Sequence, residues 1–199
     1  MRVDAEARFK SIALSHPLNA ELLRRLPAIG LPDCWLVAGC LFQTVWNAIA
    51  GRPLADGIKD YDIFYFDSDL SWDAEDRAIA RIRGALADLN IAVDLKNQAR
   101  VHLWYEQRFG KPYPQLHSAR DGIDRFLVAQ TCIGLSAGQA GNDVRLHAPF
   151  GVDDTFDGIL RPNPLCVDPA GFAAKAVSYR QRWPHLVIAS ALPSKLSTP

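Results

Sequence analysis

Two aspartates, two positions apart, are the residues whose type and spacing most directly suggest chemistry. Asp60 and Asp62 lead into the apolar and aromatic run 63–66, which is typical of a buried strand. Side chains two apart on a strand point to the same face, so two carboxylates would repel each other there. A divalent cation removes that repulsion, and Mg²⁺ prefers oxygen ligands. The pair predicts a cation site at a strand start, although a solvated pair at a strand mouth has the same spacing.

A third aspartate and a glycine extend the pattern. Asp94 lies in a short apolar segment that predicts another buried strand, and Gly39 with Cys40 falls between an apolar segment and a helix predicted for 41–50. A glycine there lets the backbone approach a ligand closely. The helix start presents free N–H groups and a positive dipole end to an anion. Three carboxylates beside such a turn predict metal-assisted phosphoryl or nucleotidyl transfer.

The order of these features resembles the nucleotidyltransferase superfamily that includes DNA polymerase beta. That superfamily carries a Gly-Ser or Gly-Gly turn, an acid-x-acid pair and a third acid on a neighbouring strand. The resemblance implies that Gly39 and Cys40 hold a triphosphate. It also implies that Asp60 and Asp62 are catalytic ligands of Mg²⁺, with Mn²⁺ as an alternative. Asp94 would complete a second metal site and help to activate an acceptor hydroxyl.

A closer likeness is to a bacterial nucleotidyltransferase-like family whose substrate is not established. The segments that carry it are VAG at 37–39, TVWN at 44–47, DYDIFYFD at 60–67, NQARVHLW at 97–104, APFGVDD at 148–154 and RWP at 182–184. The implied reaction moves a nucleoside monophosphate from an NTP to a hydroxyl acceptor, on a small molecule or a protein.

Two features depart from the superfamily pattern. Cys40 replaces serine or glycine, so a hydroxyl contact to phosphate is missing, since a thiol is a weak donor. The connection 52–59 is also long. A catalytically weak nucleotide-binding or protein-interaction module on the same fold is therefore the alternative function, and a phosphohydrolase using the same acids is a third.

The amino-acid composition limits the classes of partner that the chain is expected to bind. The chain has 199 residues, with 22 basic and 22 acidic side chains, so no global field attracts a long nucleic acid. It shows no apolar signal segment or membrane span, and its four cysteines lack a zinc spacing. These features predict a cytoplasmic protein with reduced thiols. The expected partners are an NTP and an unidentified hydroxyl acceptor, and nothing in the sequence indicates the oligomeric state.

The predicted fold is α+β, with a mixed central sheet and flanking helices. We expect one nucleotidyltransferase-like domain, with a core over about residues 20–150 and a helical extension over about 165–192. A helix is expected to be capped by Asn19, to run to about Leu26 and to stop at Pro27 and Gly30. After Asp94, either the strand continues or Asn97 caps a helix. Strands near 131–135 and 144–148 predict a hairpin, residues 153–157 an acidic loop, and the tail after Leu192 disorder.

Basic and aromatic residues supply the remaining candidates. Arg161, Lys175 and Arg182 are predicted to contact the triphosphate, with a solvated helix face as the alternative. The aromatic segment comprises Trp104, Tyr105, Phe109 and Tyr113. It could stack on a nucleobase, but core packing is the favoured interpretation.

Overall fold

The structure is a computed structural model that describes residues 2–138, 143–166 and 168–190. In these ranges the helices are α1 (Arg2–Ser15), α2 (Pro17–Ile29), α3 (Gly39–Ile49), α4 (Trp72–Leu86), α5 (Val101–Phe109), α6 (Ala119–Ile123), α7 (Asp153–Asp157) and α8 (Pro169–Arg182). The strands are β1 (Trp35–Val37), β2 (Tyr61–Tyr65), β3 (Val93–Asn97), β4 (Gly134–Ala137), β5 (Val144–His147), β6 (Ile159–Leu160) and β7 (Val187–Ile188). The predicted α+β class is confirmed.

The central sheet has five strands in the order β3-β2-β1-β4-β5. β2 and β3 run parallel, joined by α4, and the other neighbouring pairs are antiparallel. In this register Asp62 lies directly opposite both Asp94 on β3 and Val37 on β1. Directly opposed residues point to the same face of a sheet. Asp62 and Asp94 are therefore neighbours on one face.

The two faces of the sheet are covered differently. One face buries Leu36, Ile63 and Leu95 in the main hydrophobic core, which also contains side chains of α1, α2, α3 and α4. The opposite face, here named the site face, carries Asp62 and Asp94. Its centre is covered by Ile123 of α6 in a second, smaller cluster. Around Asp60 and Asp62 the site face borders a cleft.

The C-terminal helix is joined to the core through an aromatic cluster. The ring of Trp46 on α3 lies 5.3 Å from that of Tyr179 and 5.4 Å from that of Trp183. Trp183 Nε1 donates a hydrogen bond of 2.8 Å to Asn47 Oδ1. Asn47 Nδ2 in turn donates to the carbonyls of Leu54 (3.0 Å) and Asp56 (2.8 Å) in the connection before β2. One buried asparagine therefore holds both the C-terminal segment and that connection.

The start and end of α2 differ from the prediction. The helix begins at Pro17, because His16 Nδ1 accepts a hydrogen bond from Leu18 N, so Asn19 is not the cap. Asn19 is buried and donates instead to the carbonyls of Ala13 and Cys40. The helix also continues through Pro27 and ends where Gly30 adopts a left-handed conformation with φ 72°.

The structure also decides the predictions for the segment after Asp94, for the hairpin and for residues 153–157. Asn97 ends β3 and accepts from the N–H groups of Asp67 and Ala99, so the capping alternative is confirmed. The β4–β5 hairpin is confirmed, although β4 begins at Gly134. Residues 153–157 form the short helix α7 rather than a loop.

Residues 139–142, between the two strands of the hairpin, and the tail from 191 lie outside the described residues. The division into a core over about residues 20–150 and a helical extension over about 165–192 stays a prediction. Within the described part of the chain, no helix has the length and apolar character needed to cross a bilayer.

Candidate active site

A cleft of about 530 Å³ opens on the site face between the sheet, the start of α3 and the helix α8. Its polar wall contains both aspartates of the acid-x-acid pair, the glycine of the predicted turn and two cations of α8. The lining residues that bear on function are Gly39, Gln43, Asp60, Asp62, Lys175 and Arg182. This volume lies within the range of pockets that hold small ligands.

The three predicted aspartates occupy neighbouring positions with unequal burial. Asp62 lies on β2 and is partly buried, whereas Asp60 is exposed just before that strand. Asp94 is opposite Asp62 on β3, has a half-exposed side chain and forms an ion pair with Lys96. Burial, followed by the negative charges of Asp60 and Asp94, raises the pKa of Asp62 to about 6. A carboxylate is therefore held at the cleft in an environment that disfavours its charge.

The donor set of this site fits Mg²⁺. Across residues 2–138, 143–166 and 168–190, no three side chains of His, Cys, Asp or Glu converge as a metal-binding group. Mg²⁺ does not require such a group, because it is commonly held by one or two carboxylates plus water and substrate phosphates. Asp60 and Asp62 supply two carboxylates at one cleft, and a cation would reduce the electrostatic cost recorded in the raised pKa of Asp62.

The strand-to-helix turn beside the aspartates has its unusual backbone conformation at Ala38. Ala38 adopts φ 58° and ψ −123°, and Gly39 is already the first residue of α3. The Ala38 N–H donates to Ile133 O at 3.0 Å, and its carbonyl accepts from the N–H of Leu41 at 3.0 Å. These bonds hold a strained residue where the N-terminus of α3 reaches the cleft.

Relief of that strain gives a stability prediction. Ala38→Gly should raise the free energy of unfolding by about 1 kcal/mol, because removal of about 1–3 kcal/mol of strain exceeds the entropic cost of glycine. Ala48→Gly, within α3, is the control and should lower stability by about 1 kcal/mol. Urea unfolding of both variants measures the difference. A loss of stability in both would contradict strain at Ala38.

The Cys40 side chain points away from the cleft. It is buried, and its thiol donates to Val37 O at 3.6 Å. Burial is the main cause that raises the thiol pKa well above its usual value, and the charge of Asp62 adds to it. Cys40 is therefore not among the residues that line the cleft, whereas Gly39 is.

The predicted cations divide between two places. Lys175 and Arg182 line the cleft on α8, and the Arg182 guanidinium stacks 4.4 Å from the Trp183 ring. Arg161 lies outside the lining of this cleft, and its Nε donates to Asp154 at 2.7 Å. The structure therefore brings two of the three predicted cations to the aspartates.

Sequence reasoning missed Ser178 and Gln43, which also line the cleft. Ser178 follows Lys175 by three positions and precedes Arg182 by four, which puts all three on one helix face. Gln43 lies one turn after Gly39 on α3, and a Cβ placed on Gly39 would approach Gln43 Nε2 to 2.8 Å. Helical spacing from residues already selected was the signal for both.

A comparison with known families decides the identity. The model of a family described as nucleotidyltransferase matches residues 24–188. The chain belongs to this nucleotidyltransferase family. The predicted superfamily is thereby confirmed, and the protein is, in general, a transferase that uses an NTP.

Two solved structures are similar to this nucleotidyltransferase. The first, described as an NMR structure that reveals a CCA-adding enzyme head domain, is 22% identical with a TM-score of 0.71, over 89% of this chain and 92% of that one. The second is a CCA-adding enzyme in complex with CTP, 14% identical with a TM-score of 0.55. The alignment covers 90% of this chain but 43% of that enzyme. At these identities the likeness establishes the fold. A comparison with curated proteins found no match.

Proposed function

We propose that this chain is a Mg²⁺-dependent nucleotidyltransferase that moves a nucleoside monophosphate from an NTP to a hydroxyl acceptor. The observation that carries the proposal is the environment of Asp62, whose carboxylate faces the cleft and has a pKa raised to about 6. Such a group is stable as an anion when a cation is near it. If Asp62 had only a structural role, the two carboxylates beside it would destabilise its charged form without any compensation.

The residues around Asp62 would have separate tasks. Asp60 and Asp62 would hold Mg²⁺, or Mn²⁺, which when bound supplies neutralising charge to the transferring phosphoryl group. Lys175, Arg182 and the N-terminus of α3 would orient the β- and γ-phosphates. The acceptor oxygen would bond to the α-phosphorus as the bond to the pyrophosphate oxygen breaks. Its proton would pass to Asp94 or to water.

Lys175, one of the two cations that α8 contributes to the cleft, gives a prediction for NTP binding. Lys175 is exposed, and no ion pair involves it within the described residues. Lys175→Met should raise the KM for NTP about tenfold, because a hydrogen bond to a charged group contributes about 1.5–3 kcal/mol. Arg180→Met on the exposed side of α8 is the charge-matched control and should leave KM unchanged. Equal effects of both would mean that only overall charge matters.

The direct test of the proposed function is product formation. The purified protein, Mg²⁺ and each of the four NTPs are incubated with cell extract, and mass spectrometry searches for a nucleotidylated product. Release of pyrophosphate is followed in parallel. The proposal predicts one labelled product whose formation stops when the metal is chelated. Phosphate release without an acceptor would instead indicate a phosphohydrolase.

One observation favours a catalytically weak module as the second candidate. Asp94 already has a cationic partner in Lys96, and the Cys40 thiol cannot replace the missing hydroxyl because it is buried. Calorimetry with a non-hydrolysable NTP analogue, with and without Mg²⁺, separates the two. Binding that is independent of the metal and gives no product supports the module.

A further inference from the structure

A second cleft, of about 290 Å³, lies beside the candidate active site. Phe64 and Lys96 form part of its wall, and each is the next residue on the site face after Asp62 and Asp94, respectively. Phe126 and Leu127 line both clefts. The smaller cleft is therefore the continuation of the larger one along strands β2 and β3.

Aromatic side chains of α5 and the following segment make the outer wall of this second cleft. The ring of Tyr105 lies 4.4 Å from that of Tyr113 and 4.7 Å from that of Phe109. The sequence favoured core packing for these rings, but Val101 is the one buried residue of α5, and Phe109 is 52% exposed. The chain covers this aromatic wall only in part, so the wall can receive a planar ligand.

The charges around the second cleft leave one cation without an anionic partner. Lys96 pairs with Asp94, and Lys111 pairs with Asp168. Arg125 lines the cleft and donates to Leu165 O at 3.2 Å, yet it forms no ion pair in the described part of the chain. Its Nε is buried and has no hydrogen-bond partner there. A bound anion would neutralise this charge.

If the proposed function holds, the in-line geometry of nucleotidyl transfer puts the acceptor on the side of Asp62 where the second cleft lies. The attacking and leaving oxygens lie roughly in line through the transferring phosphorus. The leaving pyrophosphate would face α3, which follows β1, and α8, because both helices border the larger cleft. The attacking oxygen would then arrive from the opposite side of Asp62, where β3 carries Asp94. The second cleft opens at that edge.

We propose that the second cleft binds the acceptor, and that the acceptor is a small hydroxylated aromatic compound with one anionic group. Its ring would stack on Tyr105, its anionic group would pair with Arg125, and its hydroxyl would reach Asp94. A volume of about 290 Å³ is at the lower end for ligand pockets, which fits a compact molecule. The base of the NTP and a tyrosine of another protein are the competing occupants.

Binding without nucleotide tests the cleft independently of catalysis. Calorimetry and aromatic-proton NMR of the wild-type protein should detect 4-hydroxybenzoate or 4-hydroxyphenylacetate, phenol more weakly, and lactate not at all. Tyr105→Ala should weaken binding of the aromatic acids about tenfold through lost stacking. Leu103→Ala, which changes an exposed residue of α5 outside the cleft lining, should leave binding unchanged. Arg125→Gln should remove the preference for the acids over phenol.

Transfer assays complete the test. An aromatic acid that binds should also be nucleotidylated, with its KM raised in Tyr105→Ala and the KM of NTP unchanged. A raised KM for NTP alone would put the base in the cleft and overturn the inference. Labelling of a protein tyrosine without binding of the small acids would also overturn it. If the acids fail to bind while other acceptors are nucleotidylated, the inference fails and the proposed function stands. If no acceptor is nucleotidylated, both fail.

Discussion

Replacement of Asp62 by asparagine is expected to lower nucleotidyl transfer by about 10²–10³-fold while it stabilises the protein without ligands. The loss follows because the carboxylate that lines the cleft would no longer be available to a cation. The gain follows because the same carboxylate is partly buried and also lies near two other negative charges. Activity and stability should therefore change in opposite directions. Full transfer activity in Asp62→Asn would remove the proposed mechanism.

The gain in stability should depend on pH in a defined direction. The pKa of Asp62 is raised from 3.8 to about 6, so the folded state binds this proton more tightly than the unfolded state. Stability is therefore lost as pH rises through that window, and the loss is complete above about pH 6. Asp62→Asn should be more stable than the wild type by about 1–2 kcal/mol at pH 7.5, after allowance for solvent screening, and by little at pH 4.

Thermal unfolding at the two pH values measures this difference. Asp60→Asn is the matched control. Its gain in stability at pH 7.5 should be smaller than that of Asp62→Asn, because Asp60 is exposed. Addition of Mg²⁺ should raise the Tm of the wild type at pH 7.5 more than that of Asp62→Asn. An equal shift of Tm in both proteins would indicate that the ion binds elsewhere.

Asn47→Ala is expected to have the second large effect, a loss of about 3–4 kcal/mol in the free energy of unfolding. The side chain has three hydrogen-bond partners, two of them carbonyls in the connection before Asp60 and the third the indole of Trp183. Each buried polar group left without a partner costs about 1–3 kcal/mol. Denaturant unfolding gives the total. Trypsin should also cleave faster after Lys59, which is exposed in this connection.

Trp183→Phe is the control for the asparagine. It keeps an aromatic ring against Trp46 and leaves both carbonyls bonded to Asn47, so the expected loss is about half as large and cleavage after Lys59 should change little. If the two variants lose equal stability and are cleaved equally fast, packing of the indole rather than the asparagine bonds holds the connection.

The three aspartates were predictable because their strands have local apolar signatures. The run after Asp62 and the segment around Asp94 can be recognised without any distant contact. That the two strands are adjacent came from the family resemblance, and the register confirms it. The sequence pointed to Gly39 as the residue with unusual backbone freedom in the turn, whereas Ala38 has the positive φ. Its conformation depends on a bond to Ile133, far along the chain, and no local pattern contains that bond.

Residues selected by charge or aromaticity alone were harder to place. Arg161 was chosen as a cation near a helix, but Asp154 accepts its hydrogen bond on α7. The aromatic segment was expected in the core, yet Pro112, Pro114 and the short α6 leave its rings at the surface of a cleft. In both cases the deciding contact is between segments whose relative placement the sequence does not reveal.

The hydrogen bond between Asn47 and Trp183 joins positions 136 residues apart. A ribosome therefore releases both aspartates of the pair long before the tryptophan that completes the asparagine network. The connection that leads into Asp60 therefore gains its full set of hydrogen bonds only after the C-terminal segment has been translated and has folded against α3.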